Sequence, residues 1–313
     1  MYWKLLRRLL PYAAVILLLW YSTRGIRFSQ TLRSLQRADL SLFVGVSLAG
    51  FLVWFFGETL LFSRLFSYFH KRTEVFELVP AIAAFYFLQI INLTVASSAL
   101  MFFLNKHKGA TWSAAGVTLL FQGLLDVTLL GALALAAIFL GLDPPLHEVA
   151  PYAVIILLVG TTTAGSFLWL RPKSGLLKWL YERPALTAFR MARPRHYMSL
   201  VLIRLPIFIA DGFILFGELR SFHVDISLFQ TLLFTPAVLL LGSLPFAPVG
   251  LGTLQFLFVK GLAGFAPRAD LLAAALAISF INLVWRMPLG FVSIGLSNRD
   301  RLSAEGYRAA VSL

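Results

Sequence analysis

The sequence predicts an all-α polytopic membrane protein with about six full spans and two re-entrant hairpins arranged as an inverted repeat. The first supporting observation is composition: of 313 residues, 59% are hydrophobic and only 13% are charged. A soluble domain of this length could not bury so much apolar surface, whereas a bundle of membrane helices need not. The second is a series of long apolar segments, and the third is that two of them contain residues that disfavour a continuous helix.

The predicted full spans are a short N-terminal anchor helix and five longer apolar segments. In chain order they are 9–21 (an anchor rather than a cleaved signal peptide), 40–62, 113–140, 152–170, 200–216 and 270–296. Between the first two, four arginines are set among apolar residues, which predicts a short helix lying in the interface. The prediction is a single integral membrane domain over 1–313, divided into a first half (1–140), a second half (150–296) and a tail (297–313).

The first half contains a polar interruption within the segment 78–104, where Asn92 and Thr94 stand in an otherwise apolar stretch. We expect the helix to break near 92–98, so that the segment forms a hairpin. The alternative is a continuous span in which these side chains form hydrogen bonds between helices.

The second half contains a stronger interruption within the segment 228–264, which includes Pro245, Pro248, Gly250 and Gly252. Proline removes a backbone donor, and glycine adopts conformations that other residues avoid. Freed backbone groups at membrane depth must be buried in protein or line a wet cavity. We therefore predict a re-entrant hairpin with a non-helical turn, and a proline-kinked ordinary span is the alternative.

The longest polar connection, residues 171–196, carries seven Lys/Arg and one Glu, and it is predicted to be cytoplasmic together with the tail. If 78–104 is a hairpin, six basic residues of the first half lie inside and four outside. A full crossing reverses these numbers. We attribute the net charge of +13 to basic loops that orient the protein in the membrane and to contact of the segment 171–196 with anionic lipid. We do not interpret it as a sign of nucleic-acid binding.

Ionisable side chains within the predicted spans are the candidate site residues, because charges in a membrane are costly and tend to be paired or functional. One interpretation is two structural ion pairs, Asp126 with Arg286 and Arg204 with Asp211. The other is that Arg286 or Arg204 meets a lipid phosphate, which a guanidinium matches bidentately. Gln122 precedes Asp126 by four residues, and Asn282 precedes Arg286 by four.

Other chemistry has little support in the sequence. There is no cysteine, and the five histidines fall in predicted loops far apart in the chain, so we expect no metal, no cofactor and no catalytic residues. Glu58 stands near the end of its predicted span and is expected to reach the interface with its head group.

Residues 245–255, PFAPVGLGTLQ, resemble the proline, glycine and glutamate signature of the lysylphosphatidylglycerol synthase transmembrane region, a flippase-like family of bacterial and archaeal membrane proteins. The resemblance extends over roughly 40–296. Val249 and Gln255 depart from the pattern, which usually has a glycine and a glutamate there. The resemblance implies a plasma-membrane protein. Family members with synthase activity carry a further soluble domain, so we expect no enzymatic activity here.

These observations predict a flippase, or a translocase of a lipid-linked precursor, for a phospholipid or polyprenyl-linked lipid. Its anionic headgroup is expected to meet Arg286 and the amides of Gly250 and Gly252, with Asn282 and Gln255 as neutral partners. The alternatives are a non-catalytic membrane component of a lipid or glycan synthesis complex and a membrane-embedded headgroup transferase. A homo-oligomer is compatible with each of them.

Overall fold

The structure is a computed structural model. The residues that it describes are 20, 22–140, 158, 187–242 and 252–311, with side chains from 294 onward excluded. Every regular element in these residues is a helix, which agrees with the predicted all-α class. The predictions for the spans 9–21 and 152–170 and for Pro245, Pro248 and Gly250 lie outside the described residues.

The helices are numbered in chain order. They are α1 (Phe28–Arg37), α2 (Leu40–Phe69), α3 (Val75–Leu88), α4 (Leu93–Lys108), α5 (Trp112–Phe139), α6 (Thr187–Met191), α7 (Pro194–Ser221), α8 (Leu228–Gly242), α9 (Thr253–Gly261) and α10 (Arg268–Val311).

Four of these helices are long and apolar enough to cross a membrane: α2, α5, α7 and the part of α10 over Arg268–Ser293. Each coincides with a span predicted from the sequence, so the chain is a multi-pass helical membrane protein. Helix α2 has 30 residues. At 1.5 Å per residue it measures about 45 Å, longer than the hydrocarbon core of about 30 Å.

Helices α3 and α4 form an antiparallel pair. Lys108, the last residue of α4, makes an ion pair with Glu77 in the first turn of α3 (2.8 Å). Asn92 begins α4, because its side-chain oxygen accepts a hydrogen bond from the Thr94 amide (2.6 Å). The chain therefore reverses between the two helices.

The predicted position of this break, 92–98, is wrong by a few residues, because the helix is interrupted at 89–92. Ser97 and Ser98 lie within α4. Each hydroxyl donates to a carbonyl of the preceding turn, so neither residue interrupts the helix.

Helices α8 and α9 form a second pair. Gly252 has a φ of 88°, in the left-handed region that favours glycine, so no continuous helix passes through it. Phe234 of α8 contacts Phe258 of α9, with 6.3 Å between the ring centroids, and it also lies against Gly261. Helix α9 therefore folds back alongside α8.

Contacts between helix termini define two ends of the molecule. At the Tyr68 end, the Tyr68 hydroxyl bonds Ser199 (2.8 Å), where α2 ends and α7 begins. At the Asp39 end, the Asp39 amide donates to the Ser221 carbonyl (2.9 Å), where α2 begins and α7 ends. The α3–α4 pair opens at the Tyr68 end because it follows α2, and the α8–α9 pair opens at the Asp39 end because it follows α7.

Helices α2 and α7 pack closely along what we call the glycine seam, formed by Gly57 against Ile207 and Gly217 against Val46. A Cβ atom on Gly57 would lie 2.5 Å from the Ile207 side chain, so a larger residue here would force that side chain to move. Two buried apolar clusters flank the seam, one around each helix pair, with Phe66 in the first and Phe258 in the second.

Candidate functional site

A buried arginine held by two carboxylates lies inside the bundle. Arg204 of α7, with 3% of its surface exposed, donates from Nε to Asp126 Oδ1 (2.8 Å) and from Nη2 to Asp126 Oδ2 (2.5 Å). Both Nη atoms lie 3.3 Å from Glu58 Oε1. This bidentate geometry is the strong form of an arginine–carboxylate interaction. The cluster joins α2, α5 and α7, and it brings two formal negative charges to one positive charge.

Aromatic side chains cover the Arg204 guanidinium. Its carbon lies 4.8 Å from the Trp54 ring centroid and 4.9 Å from that of Phe208. The Trp54 indole N–H also donates to Asp211 Oδ1 (2.7 Å). Gln122, one turn before Asp126, donates to the Asp126 carboxylate. Each polar group of the cluster is thereby oriented by a neighbour.

Both ion pairs anticipated from the sequence are wrong in their partners. Asp126 pairs with Arg204 because α5 and α7 meet at this level, whereas Arg286 lies on another helix beside Tyr86. Asp211 stands two turns along α7 from Arg204. Its carboxylate accepts a hydrogen bond from the Trp54 indole and makes no ion pair with Arg204.

The expectation that Glu58 reaches the interface is also wrong. Helix α2 continues to Phe69, eleven residues beyond Glu58, so this carboxylate lies inside the bundle with 8% of its surface exposed. Its Oε2 makes no hydrogen bond of ordinary geometry in the part of the chain that the structure describes, although Tyr86 stands beside it.

Arg286 occupies a different environment from Arg204. It is partly buried, and its guanidinium carbon lies 5.7 Å from the Tyr86 ring centroid. No carboxylate of the described residues lies within ion-pair distance of it. Asn282, one turn earlier on α10, is also partly buried and donates to the Ile278 carbonyl (2.9 Å). Tyr86 of α3 thus lies near both Glu58 and Arg286.

Gln255 is a structural residue in this arrangement, contrary to its predicted role as a headgroup partner. It is fully buried, and its Oε1 accepts from the Gly252 amide (2.6 Å) while its Nε2 donates to Ser279 Oγ (3.1 Å). The Gly252 amide is thereby also used within the protein, and Gly250 lies outside the described residues. Asn92 caps α4 by accepting a hydrogen bond from the Thr94 amide, and both residues are exposed.

Sequence reasoning did not identify Glu58, Trp54 and Tyr86 as site residues. One signal was available for Glu58: the triplet Phe-Gly-Glu occurs at 56–58 and again at 216–218, a spacing of 160 residues. Two further correspondences have the same spacing.

The residue before α4, Asn92, corresponds at this spacing to the residue before α9, Gly252. Asp126 corresponds in the same way to Arg286. The two halves therefore align over these three features without an insertion or a deletion.

Metal binding has no support in the described ranges, where no group of three or more His, Asp or Glu side chains could hold an ion. The groups gathered at the candidate site are two guanidiniums, three carboxylates and neutral amide, indole and phenol groups. These groups can bind and release a charged ligand by hydrogen bonds and ion pairs.

The family model described as lysylphosphatidylglycerol synthase TM region matches residues 8–290, which confirms the resemblance seen at 245–255. This relates the chain to membrane proteins of lipid modification or transport. No curated protein matches the chain.

Proposed function

We propose that this chain, which belongs to the lysylphosphatidylglycerol synthase TM region family, moves an anionic lipid headgroup between leaflets while the acyl chains remain in the membrane. The lipid is a phospholipid or a polyprenyl-linked lipid, and the proposal assigns no catalytic step to the protein. The observation that carries it is Arg286, a guanidinium inside an apolar bundle with no carboxylate partner among the described residues. An intramembrane charge without a fixed partner is a candidate for contact with a charged ligand.

Arg286 is a better candidate for the headgroup contact than Arg204. Both carboxylates around Arg204 already occupy its donors, so a phosphate would have to displace them. Arg286 instead rests on the Tyr86 ring, and no described residue pairs with its guanidinium, whose five N–H groups can donate to a ligand. Asn282, one turn away on the same face, supplies a neutral amide that can assist without holding the phosphate permanently.

The two helix pairs support a re-entrant architecture. The α3–α4 pair opens at the Tyr68 end and the α8–α9 pair opens at the Asp39 end. The first helix of each pair, α3 or α8, is apolar but shorter than the four long helices. With the sequence segments 9–21 and 152–170 as two further spans, the proposed architecture has six spans and two hairpins that enter from opposite faces. Broken helices of this kind form substrate sites in transporters.

The spacing of 160 residues supports an inverted repeat. In an inverted repeat, a two-fold axis in the membrane plane exchanges the two halves. Each contact between a first-half residue and a second-half residue should therefore recur between their counterparts 160 positions away. The contact of Gly57 with Ile207 should then recur between residues 217 and 47, and Gly217 does lie against Val46, one residue away. Such symmetry would let one site open to either face by rocking of the two halves.

The orientation follows from the basic loops. Basic residues near helix ends gather at the Tyr68 end, namely Arg64 of α2, Lys108 of α4 and Arg195 of α7, and we therefore assign this end to the cytoplasm together with the tail. This is the arrangement expected if the first helix pair is a hairpin.

The test is transport by the purified chain in vesicles that contain a trace of fluorescent phosphatidylglycerol labelled on its headgroup. Dithionite added outside bleaches only the outer leaflet, so exchange between leaflets appears as bleaching beyond half of the signal. We expect this exchange with the unmodified chain, its loss in Arg286→Ala and partial retention in Arg286→Lys, which keeps the charge without the planar fork.

Arg220→Ala is the matched control, because this arginine is exposed at the Asp39 end and pairs only with the exposed Asp225 among the described residues. Normal exchange by a folded Arg286→Ala protein would refute the assignment of Arg286.

A further inference from the structure

We propose that a groove on the outer surface of α2 and α7, at the Tyr68 end, is a binding site for an anionic membrane phospholipid. The groove consists of two adjoining cavities of about 600 and 420 Å³ that share Arg195. The first also contains Arg64, and the second contains Arg190 and Arg193. No acidic residue is found among the described residues that line either cavity.

The two helices present the same order of side chains toward the membrane interior. On α7, Arg195 is followed at helical spacing by Met198 and Leu202, whose surfaces are 60% and 63% exposed. On α2, Arg64 stands one turn from the exposed Leu60 and is the closer of the two to the end of the helix at Phe69. Residues three and four apart lie on one face of a helix. Each helix therefore places a guanidinium at the end and apolar surface deeper, as a phospholipid places its phosphate and its chains.

The floor of the second cavity is preorganised. The Tyr68 ring stacks on the His196 ring, with centroids 4.5 Å apart and planes at 13°. The Tyr68 hydroxyl is fixed by Ser199 (2.8 Å). Rigid walls lower the ordering cost of binding, and arginine matches phosphate bidentately. An anionic lipid is complementary to this groove in both charge and apolar surface, whereas a zwitterionic lipid would bring a second cation to the arginines.

This inference is independent of transport, because the groove lies at the end of the molecule and does not use Arg286. The full chain in detergent is titrated with dioleoyl phosphatidylglycerol and, separately, with dioleoyl phosphatidylcholine, and bound lipid is counted by native mass spectrometry. We expect phosphatidylglycerol to bind more tightly, and the double variant Arg64→Gln/Arg195→Gln to weaken that binding about tenfold or more.

The matched control is Lys71→Gln/Arg72→Gln, which removes the same charge from exposed positions at the same end but outside the groove. We expect it to weaken binding about twofold or less. Equal losses in the two double variants, or equal affinity for the two lipids, would mean diffuse surface charge and would overturn the inference. Arg286→Ala should keep the binding, so failure of the transport proposal and failure of this one give different results.

A second measurement avoids removing the arginines. The chain has no cysteine, so Met198→Cys can carry a single fluorophore beside the groove, and Leu120→Cys can carry one at another exposed apolar position, on α5. In vesicles with equal amounts of both lipids, brominated chains are placed on one lipid at a time. Stronger quenching by brominated phosphatidylglycerol at position 198 but not at 120 is the expected result. Equal quenching by both lipids at position 198 would contradict the proposed site.

Discussion

Glu58 and Glu218 occupy corresponding places in the two halves, 160 residues apart, and both are buried. Glu58 meets Arg204, whereas Glu218 has no cation within ion-pair distance among the described residues. The position that corresponds to Arg204 is Val44, so the second half lacks the arginine that would complete a symmetric cluster. The two segments share the Phe-Gly-Glu triplet, but among the described residues only the first segment takes part in an arginine–carboxylate cluster.

The turns of the two helix pairs also differ in the hydrogen bonds that hold them. Asn92 starts α4 with an exposed cap, while Gly252 starts α9 in a buried turn that Gln255 fastens to Ser279 of α10. The first turn is held by one local hydrogen bond and the second by a link to another helix. This comparison predicts that equivalent changes in the two halves will have unequal effects.

The largest effect should follow removal of Arg204. Arg204→Met leaves Glu58 and Asp126 buried without their cation, which costs about 3–5 kcal/mol of unfolding free energy. Thermal unfolding in detergent measures the loss. Adding Glu58→Gln and Asp126→Asn to the same variant should restore most of the stability. A single variant as stable as the parent would show that Arg204 is not needed to neutralise the cluster.

A smaller difference is expected between the two turns. Gln255→Ala leaves the buried Gly252 amide and the Ser279 hydroxyl without this partner, at a cost of about 2–3 kcal/mol. Asn92→Ala removes an exposed helix cap at a cost of about 1 kcal/mol. Thermal unfolding of the two variants in the same detergent shows which substitution costs more stability. The comparison of the turns fails if Asn92→Ala is the more damaging change.

The two glutamates should respond with opposite signs. Glu58→Gln weakens an arginine contact and should destabilise the protein by about 1 kcal/mol. Glu218→Gln replaces a buried carboxylate, which has no cationic partner among the described residues, by a neutral amide, so stability should be unchanged or higher. Melting temperatures at neutral pH compare the two variants. A clear loss in Glu218→Gln would point to a partner for this carboxylate.

The smallest effect concerns His70 at the Tyr68 end, which corresponds to the non-titrating Gln230. Burial lowers the pKa of His70 from its usual 6.5, and its Nε2 lies 2.9 Å from the Thr118 hydroxyl. The neutral form is therefore favoured in the folded state, and its contribution to stability is present above about pH 6.5 and is lost as the pH falls below it. His70→Gln should flatten the stability profile between pH 5 and pH 7. An unchanged slope would exclude His70 as its source.

The sequence was sufficient for the four described spans because each is a long and mainly apolar segment, which can be recognised from local information. It was also sufficient to locate the interruptions near Asn92 and Gly252, since capping and positive φ are local properties. The exact break in the first half was displaced because Ser97 and Ser98 are equally compatible with a turn and with a helix.

The ion pairs could not be predicted in the same way, because they depend on which helices are neighbours. Asp126 and Arg204 were identified as important, but their pairing requires that α5 and α7 meet, which no local pattern specifies. The apolar segment that contains Glu58 ends near residue 62, so the sequence suggests that Glu58 lies at the membrane interface. The helix in fact continues to Phe69, which places Glu58 inside the bundle. The length of a helix beyond the hydrocarbon is set by packing, here by Phe66 and Phe69 in the first apolar cluster.

The glycine seam has a mechanical consequence. With Gly57 against Ile207 and Gly217 against Val46, no acyl chain fits between α2 and α7. If these helices parted, the ion pairs of Arg204 would face hydrocarbon. They therefore act as a closed spine, so the displacement that the proposed transport requires falls to the helices around it.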